Sequence, residues 1–178
     1  HPFAINVQQS AAVIYNSGTY NLPLSQTADH TAVANAIEKP LTEGLTKAKE
    51  FLAGSELYRI RKQHAMAAFM LHQSAEQALR TLLKVGTGYH ANTHNIGRLL
   101  RYARMVSYQL PDIFPQQTEE DNRLFNLLQK AYIHTRYKED YKINADDLLC
   151  LTEKVKRIHD ILLDAGKTSF QPNRTVDI

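Results

Sequence analysis

Apolar positions between residues 40 and 165 recur at intervals of three and four, the spacing of helices that each bury one face. The clearest case is Ala68, Leu71, Ala75, Ala78 and Leu82, one stripe of a helix predicted over about Arg61 to Val85, with Gly86 and Gly88 to end it. A first helix is predicted from about Leu41 to Tyr58, with Pro40 in its first turn, where a missing amide costs least. A third should open after Asn92-Thr93 and end near Tyr108, before Pro111 and Pro115 bend the chain. A fourth, about Thr118 to Thr135, carries Leu124, Leu127, Leu128 and Ala131 on one side. Asn144-Ala145-Asp146-Asp147 announces a fifth: a capping side chain followed by carboxylates at the positive end of the helix, which continues to about Ala165.

The front of the chain has a different period. Residues 3–15 read as strand, Asn16-Ser17-Gly18 as a turn and residues 19–22 as a short return strand. An isolated hairpin is marginal, so these strands make sense as the end of a sheet begun upstream. The fold expected is mainly α: an up-and-down bundle of about five helices with a short N-terminal β-hairpin remnant. Residues 1–39 would be remnant and linker, with weak helix over Thr31 to Ile37. Residues 40–166 would form the helical domain and 167–178 a mobile tail.

Composition narrows the function classes. The 178 residues carry a net charge of only +3, so a nucleic-acid site must be a local cluster and not a bulk field. One cysteine, Cys150, excludes an internal disulfide framework and a cysteine-rich zinc module, and fits a reducing cytoplasm. Its place between Leu149 and Leu151 suggests a buried, inert thiol. No apolar run is long enough to span a bilayer and no signal peptide opens the chain. It starts at His1-Pro2-Phe3, which reads as a piece of a longer polypeptide.

Two clusters carry candidate chemistry. The first is Tyr132 to Lys142, where Arg136 continues the apolar helical pattern to its end. A guanidinium held there can present its planar fork to a phosphate, and Tyr132, Tyr137 and Tyr141 offer hydroxyls and stacking surfaces. The second is a polar stripe beside the core stripe of the second helix: Ala65, Phe69, His72, Glu76 and Arg80, with Gln73 alongside. It could line a cleft shared with Arg136, or be an amphipathic face with a weak Glu76–Arg80 ion pair. His90 and His94 have a metal-ligand spacing, but a helix start falls between them and no third ligand is adjacent; no metal or cofactor is expected, and Thr93 and His94 are read as capping and packing. Gly86-Thr87-Gly88 lacks the lysine and hydroxyl of a phosphate loop. Lys154, Lys156 and Arg157 read as a solvated face, with an RNA-facing patch as the alternative.

Residues 67–79, Leu82-Leu83, Thr93-His94-Asn95-Ile96 and Ala131-Tyr132-Ile133-His134-Thr135-Arg136-Tyr137 together resemble the HEPN domain family over about residues 45–165. Residues 3–22 resemble, more weakly, the end of a nucleotidyltransferase domain that precedes HEPN in bacterial fusion proteins; that enzyme's own Gly-Ser and aspartate signature is absent from the chain. The resemblance implies a nucleotide- or RNA-binding helical module, commonly homodimeric and toxin–antitoxin-like, with two copies of Arg136 facing one groove. Tyr137, Tyr141, His72, Gln73 and Glu76 would complete the site. It also implies a metal-independent ribonuclease motif, arginine and then histidine four to six residues on. Arg136 matches the arginine, but the positions for histidine hold Tyr141, Lys142 and Ile143. Two other readings therefore stand beside binding. One is an endoribonuclease using Arg136 with a displaced base, His72 or His134. The other is a dimerisation and substrate-positioning module without a ligand, with Arg136 locked to Asp140 or Glu76.

Overall fold

The structure, a computed structural model, describes residues 30–137 and 141–169, with side chains for 37–135 and 141–167. Five α-helices follow one another: α1 His30–Ile60, α2 His64–Thr87, α3 Ile96–Ala103, α4 Glu119–Tyr137 and α5 Ala145–Ser169. A single 3-10 turn, Leu110–Asp112, lies between α3 and α4. No strand occurs among the described residues, and the strands expected before residue 23 lie outside them.

Helix α2 is the hub, packing against α1, α3, α4 and α5. Its stripe Ala68, Leu71, Ala75, Ala78 and Leu82 is fully buried, as its spacing predicts. Gly88 ends it in a left-handed conformation (φ 73°) and donates its N–H to the Lys84 carbonyl at 2.9 Å. This is an αL cap, at a backbone position glycine adopts without strain. Buried polar side chains tie the hub to its neighbours. The Ser74 hydroxyl donates to the Ala48 carbonyl of α1 at 2.8 Å and lies 2.9 Å from His159 Nε2 of α5. Ser55 of α1 donates to the Ala67 carbonyl.

Several boundaries differ from the expected ones. Helix α1 begins ten residues before Pro40 and passes through it, at the cost of one backbone hydrogen bond. The expected linker is thus helical from residue 30, which extends the weak helix expected over Thr31 to Ile37 and joins it to the first helix. Helix α3 is short: it ends at Ala103, and the chain tightens into turns with Val106 N–H donating to the Ala103 carbonyl. Its N-cap is Asn95, whose Oδ1 accepts from Arg98 N–H at 2.8 Å, and not Asn92-Thr93. Asn144 caps α5 as expected, accepting from Asp147 N–H at 2.7 Å, but the helix runs to Ser169, into the expected tail.

Sequence neighbours also proved a poor guide on α5. Its buried face is Leu148, Leu151, Val155, Ile158 and Leu162, spaced by threes and fours, so Cys150 and Leu149 fall on the outside and Cys150 is exposed. Lys156 and Arg157 are exposed as expected, but Lys154 is half-buried: its Nζ donates to the Ile113 carbonyl at 2.7 Å and lies 5.4 Å from the Phe114 ring centre. No helix among the described residues is long and apolar enough to cross a membrane.

Candidate functional site

The polar stripe of α2 does not form a solvated wall. His72 is fully buried and Glu76 is 5% exposed, so the carboxylate is desolvated and needs partners. It has three. Arg80, one turn on, donates from a terminal guanidinium nitrogen at 3.1 Å. His94, from the loop before α3, places Nδ1 3.0 Å from each carboxylate oxygen. His72 Nδ1 stands 3.9 Å away. The His94 side chain is 54% exposed, which makes it the member of the cluster that meets solvent most fully.

Tyr132 of α4 holds these rings in place. It stacks on His94 at 4.7 Å between ring centres and 13° between planes, and on His72 at 5.4 Å and 23°. Phe69 extends the ladder at 6.2 Å. The cluster thus joins α2, α4 and the loop before α3. A carboxylate that binds one imidazole nitrogen fixes the ring and leaves Nε2 of His94 as the nitrogen able to take a proton, the arrangement by which an acid–base histidine is oriented.

His72 is differently placed. Burial pushes its pKa down to about 4, against the opposing pull of the Glu76 charge and of the His94 backbone. Its Nε2 makes no hydrogen bond of standard geometry, and Nδ1 lies 3.3 Å from Gln73 Nε2. A neutral, enclosed imidazole is suited to packing more than to contact with a substrate. Gln73 is half-buried beside it. Tyr141 is half-buried too. Its hydroxyl donates to the Leu127 carbonyl at 2.9 Å, and burial pushes its pKa up. His134 meets the edge of the Tyr141 ring at 6.4 Å.

Arg136 and Tyr137 lie in the last turn of α4, with their side chains outside the described set; an Arg136 pairing with Asp140 or Glu76 falls there as well. Position 136 is one helical turn beyond Tyr132, so the two positions share a face. Sequence reasoning therefore named Glu76, His72 and Arg80 as neighbours but gave His94 only capping and packing, and did not join it to Glu76. The available signal was that Asn95 is the better cap residue, which frees His94 for another role. Among the described residues no group of three potential ligands could hold a metal ion.

On the other side of Arg80 a cleft of about 350 Å³ opens between α1 and α2, bordered by Lys47, Arg80, Lys84, His90 and Glu43. Arg80 thus links the Glu76 cluster to a basic recess.

A five-helix bundle around one hub helix, with this cluster on it, defines the class of small α-helical module. The model of the HEPN domain matches residues 42–165, more than two-thirds of the chain, and the protein belongs to the HEPN domain family. Domains of this family are generally associated with nucleotides or RNA and are often dimeric. Comparison with curated proteins gives no match.

Proposed function

We propose that this chain is a nucleotide- or RNA-binding HEPN module that works as a homodimer beside an upstream nucleotidyltransferase-like domain in the cytoplasm. The observation that carries the reading is the stacked His94–Tyr132 pair anchored by Glu76 and Arg80, with position 136 one turn along the same face of α4. In this reading Arg136 contacts phosphate and Tyr137 stacks or hydrogen-bonds. Gln73 and His94 reach the ligand, while the buried His72 and Glu76 hold the wall behind them. Tyr141 anchors the segment that follows position 136.

A second reading, metal-independent RNA cleavage, is favoured by one feature: His94 has the orientation and exposure that the buried His72 lacks. His94 would take the proton of a 2′-hydroxyl as its oxygen bonds to phosphorus. The 5′-oxygen would leave, taking up a proton from solvent water, and a cyclic phosphate would remain, with Arg136 opposing the charge on the phosphoryl oxygens.

Labelled RNA incubated in excess chelator with wild type, Arg136→Ala and His94→Ala separates the readings. Binding weakened in Arg136→Ala, without cleavage by any form, supports the module. Cyclic-phosphate ends lost in both variants support the nuclease. No binding at all by wild type refutes both.

A further inference from the structure

A second cleft lies where α3 faces the 3-10 turn and α4, with a volume of about 360 Å³. Three arginines border it: Arg98, Arg101 and Arg104, all exposed. They recur every third residue, so successive side chains rise about 4.5 Å along the helix axis. The opposite wall is apolar, built from Leu110, Pro111 and the Phe114–Phe125 pair, whose rings meet edge-on at 5.4 Å. No carboxylate borders the cleft. Asp112, Asp160 and Asp164 border a different recess, shared with Arg157.

Arg59, Arg80 and Arg123 each have a carboxylate partner. Arg98, Arg101 and Arg104 have no ion pair among the described residues; Arg101 lies only against the Tyr102 ring, at 6.0 Å. Arg61 and Arg157 also lack an ion pair among the described residues, but Arg98, Arg101 and Arg104 are unpaired and line one cleft together. Three unneutralised guanidiniums within two helical turns repel one another, and a polyanion would relieve that repulsion. Met105 follows Arg104 and Tyr108 comes three residues later, 72% and 84% exposed, and the tyrosine offers a ring on which a base can stack. The cleft's near end is Asn95, the residue next to His94.

We propose that the Arg98–Arg101–Arg104 cleft binds the phosphodiester backbone of single-stranded RNA and leads the strand toward His94, with Tyr108 stacking on a base. This rests on the nucleotide- or RNA-binding reading above and assigns the strand a path through a cleft that shares no lining residue with the α1–α2 recess. An acidic peptide is the competing occupant. The unpaired fork-shaped donors together with an exposed tyrosine favour RNA, whose bases supply the stacking partner.

The test is fluorescence anisotropy with a labelled single-stranded oligoribonucleotide across a salt series. Each phosphate contact contributes about 0.7 to the slope of log affinity against log salt on a single strand. Replacing all three arginines by glutamine should lower the slope by about 2 and weaken binding about 100-fold near 0.1 M salt. Arg101→Gln alone, on an exposed position of an intact helix, should cost about fivefold, and Tyr108→Ala a similar factor. A control triple, Lys39→Gln with Lys156→Gln and Lys167→Gln, removes equal charge elsewhere and should leave binding within about threefold. Equal losses in the arginine and control triples, or unchanged binding in Arg101→Gln, would overturn the assignment while leaving RNA binding itself intact. Polyglutamate displacing the RNA at matched charge would give the cleft to acidic protein. Failure of the wild type to bind RNA would remove this inference together with the reading it rests on.

Discussion

Replacing His72 should flatten the acid limb of the stability curve, and the size of the effect follows from its burial. The folded chain holds this imidazole at a pKa of about 4, whereas an unfolded chain titrates near the ordinary value of 6.5. Between those values the unfolded state binds more protons, so stability is full above about pH 6.5 and falls as the pH drops toward 4. The complete difference is roughly 3 kcal/mol, of which about 2 kcal/mol is already lost at pH 5. His72→Leu keeps similar volume and removes only the long Nδ1 contact with Gln73, since Nε2 makes no hydrogen bond of standard geometry. It should therefore fold within about 1 kcal/mol of wild type at pH 7.5. Urea unfolding of both proteins at pH 7.5 and pH 5.0 gives the comparison. The wild type should lose about 2 kcal/mol more than the variant between the two. His159 is also held below its ordinary value by burial, so it steepens both curves and cancels in the difference. Equal losses would refute the idea that His72 folds neutral, and would reopen its claim to be a working base.

Gly44 and Gly54 lie in the same helix and should respond oppositely to alanine. A Cβ on Gly44 would strike Thr81, with Cγ2 at 2.6 Å, and should cost a net 1–3 kcal/mol or so, while one on Gly54 meets Met70 at ordinary contact distance and should stabilise by about 0.5–1 kcal/mol, both read from urea midpoints. Glu76→Gln leaves Arg80 and His94 without their shared anion; a loss of about 1–3 kcal/mol is expected, and a neutral result would mean the carboxylate is not holding the cluster. Asn95→Ala removes the cap of α3 and should cost about 1 kcal/mol in the same assay. Cys150 should react fully with a thiol reagent in the native state, whereas protection until unfolding would contradict its outward position.

What the chain reveals in advance is its periodicity. Leu71, Ala75, Ala78 and Leu82 had to share a face because of helical geometry, and the core forms there. Local rules failed in two places: Pro40, expected in the first turn of α1, lies ten residues inside it, and Cys150 was judged by its sequence neighbours when Leu148 and Leu151 lie on another face of the helix. The Glu76–Arg80 pair was legible because it spans one turn. His94 was not, because its contact with Glu76 bridges a loop and its ring packs on Tyr132 from a different helix. No spacing rule encodes such a meeting.

The hub position of α2 sets a hierarchy of opening. Since every other helix rests on it, its central amides, from about Leu71 to Leu83, should exchange with solvent deuterium only through global unfolding. Helix α3, eight residues long and followed by turns, can detach for far less. Glu76 then stands on the segment expected to exchange slowest and His94 beside the one expected to exchange fastest. Docking of one short helix would assemble the Glu76–His94 contact on a timescale separate from folding of the whole.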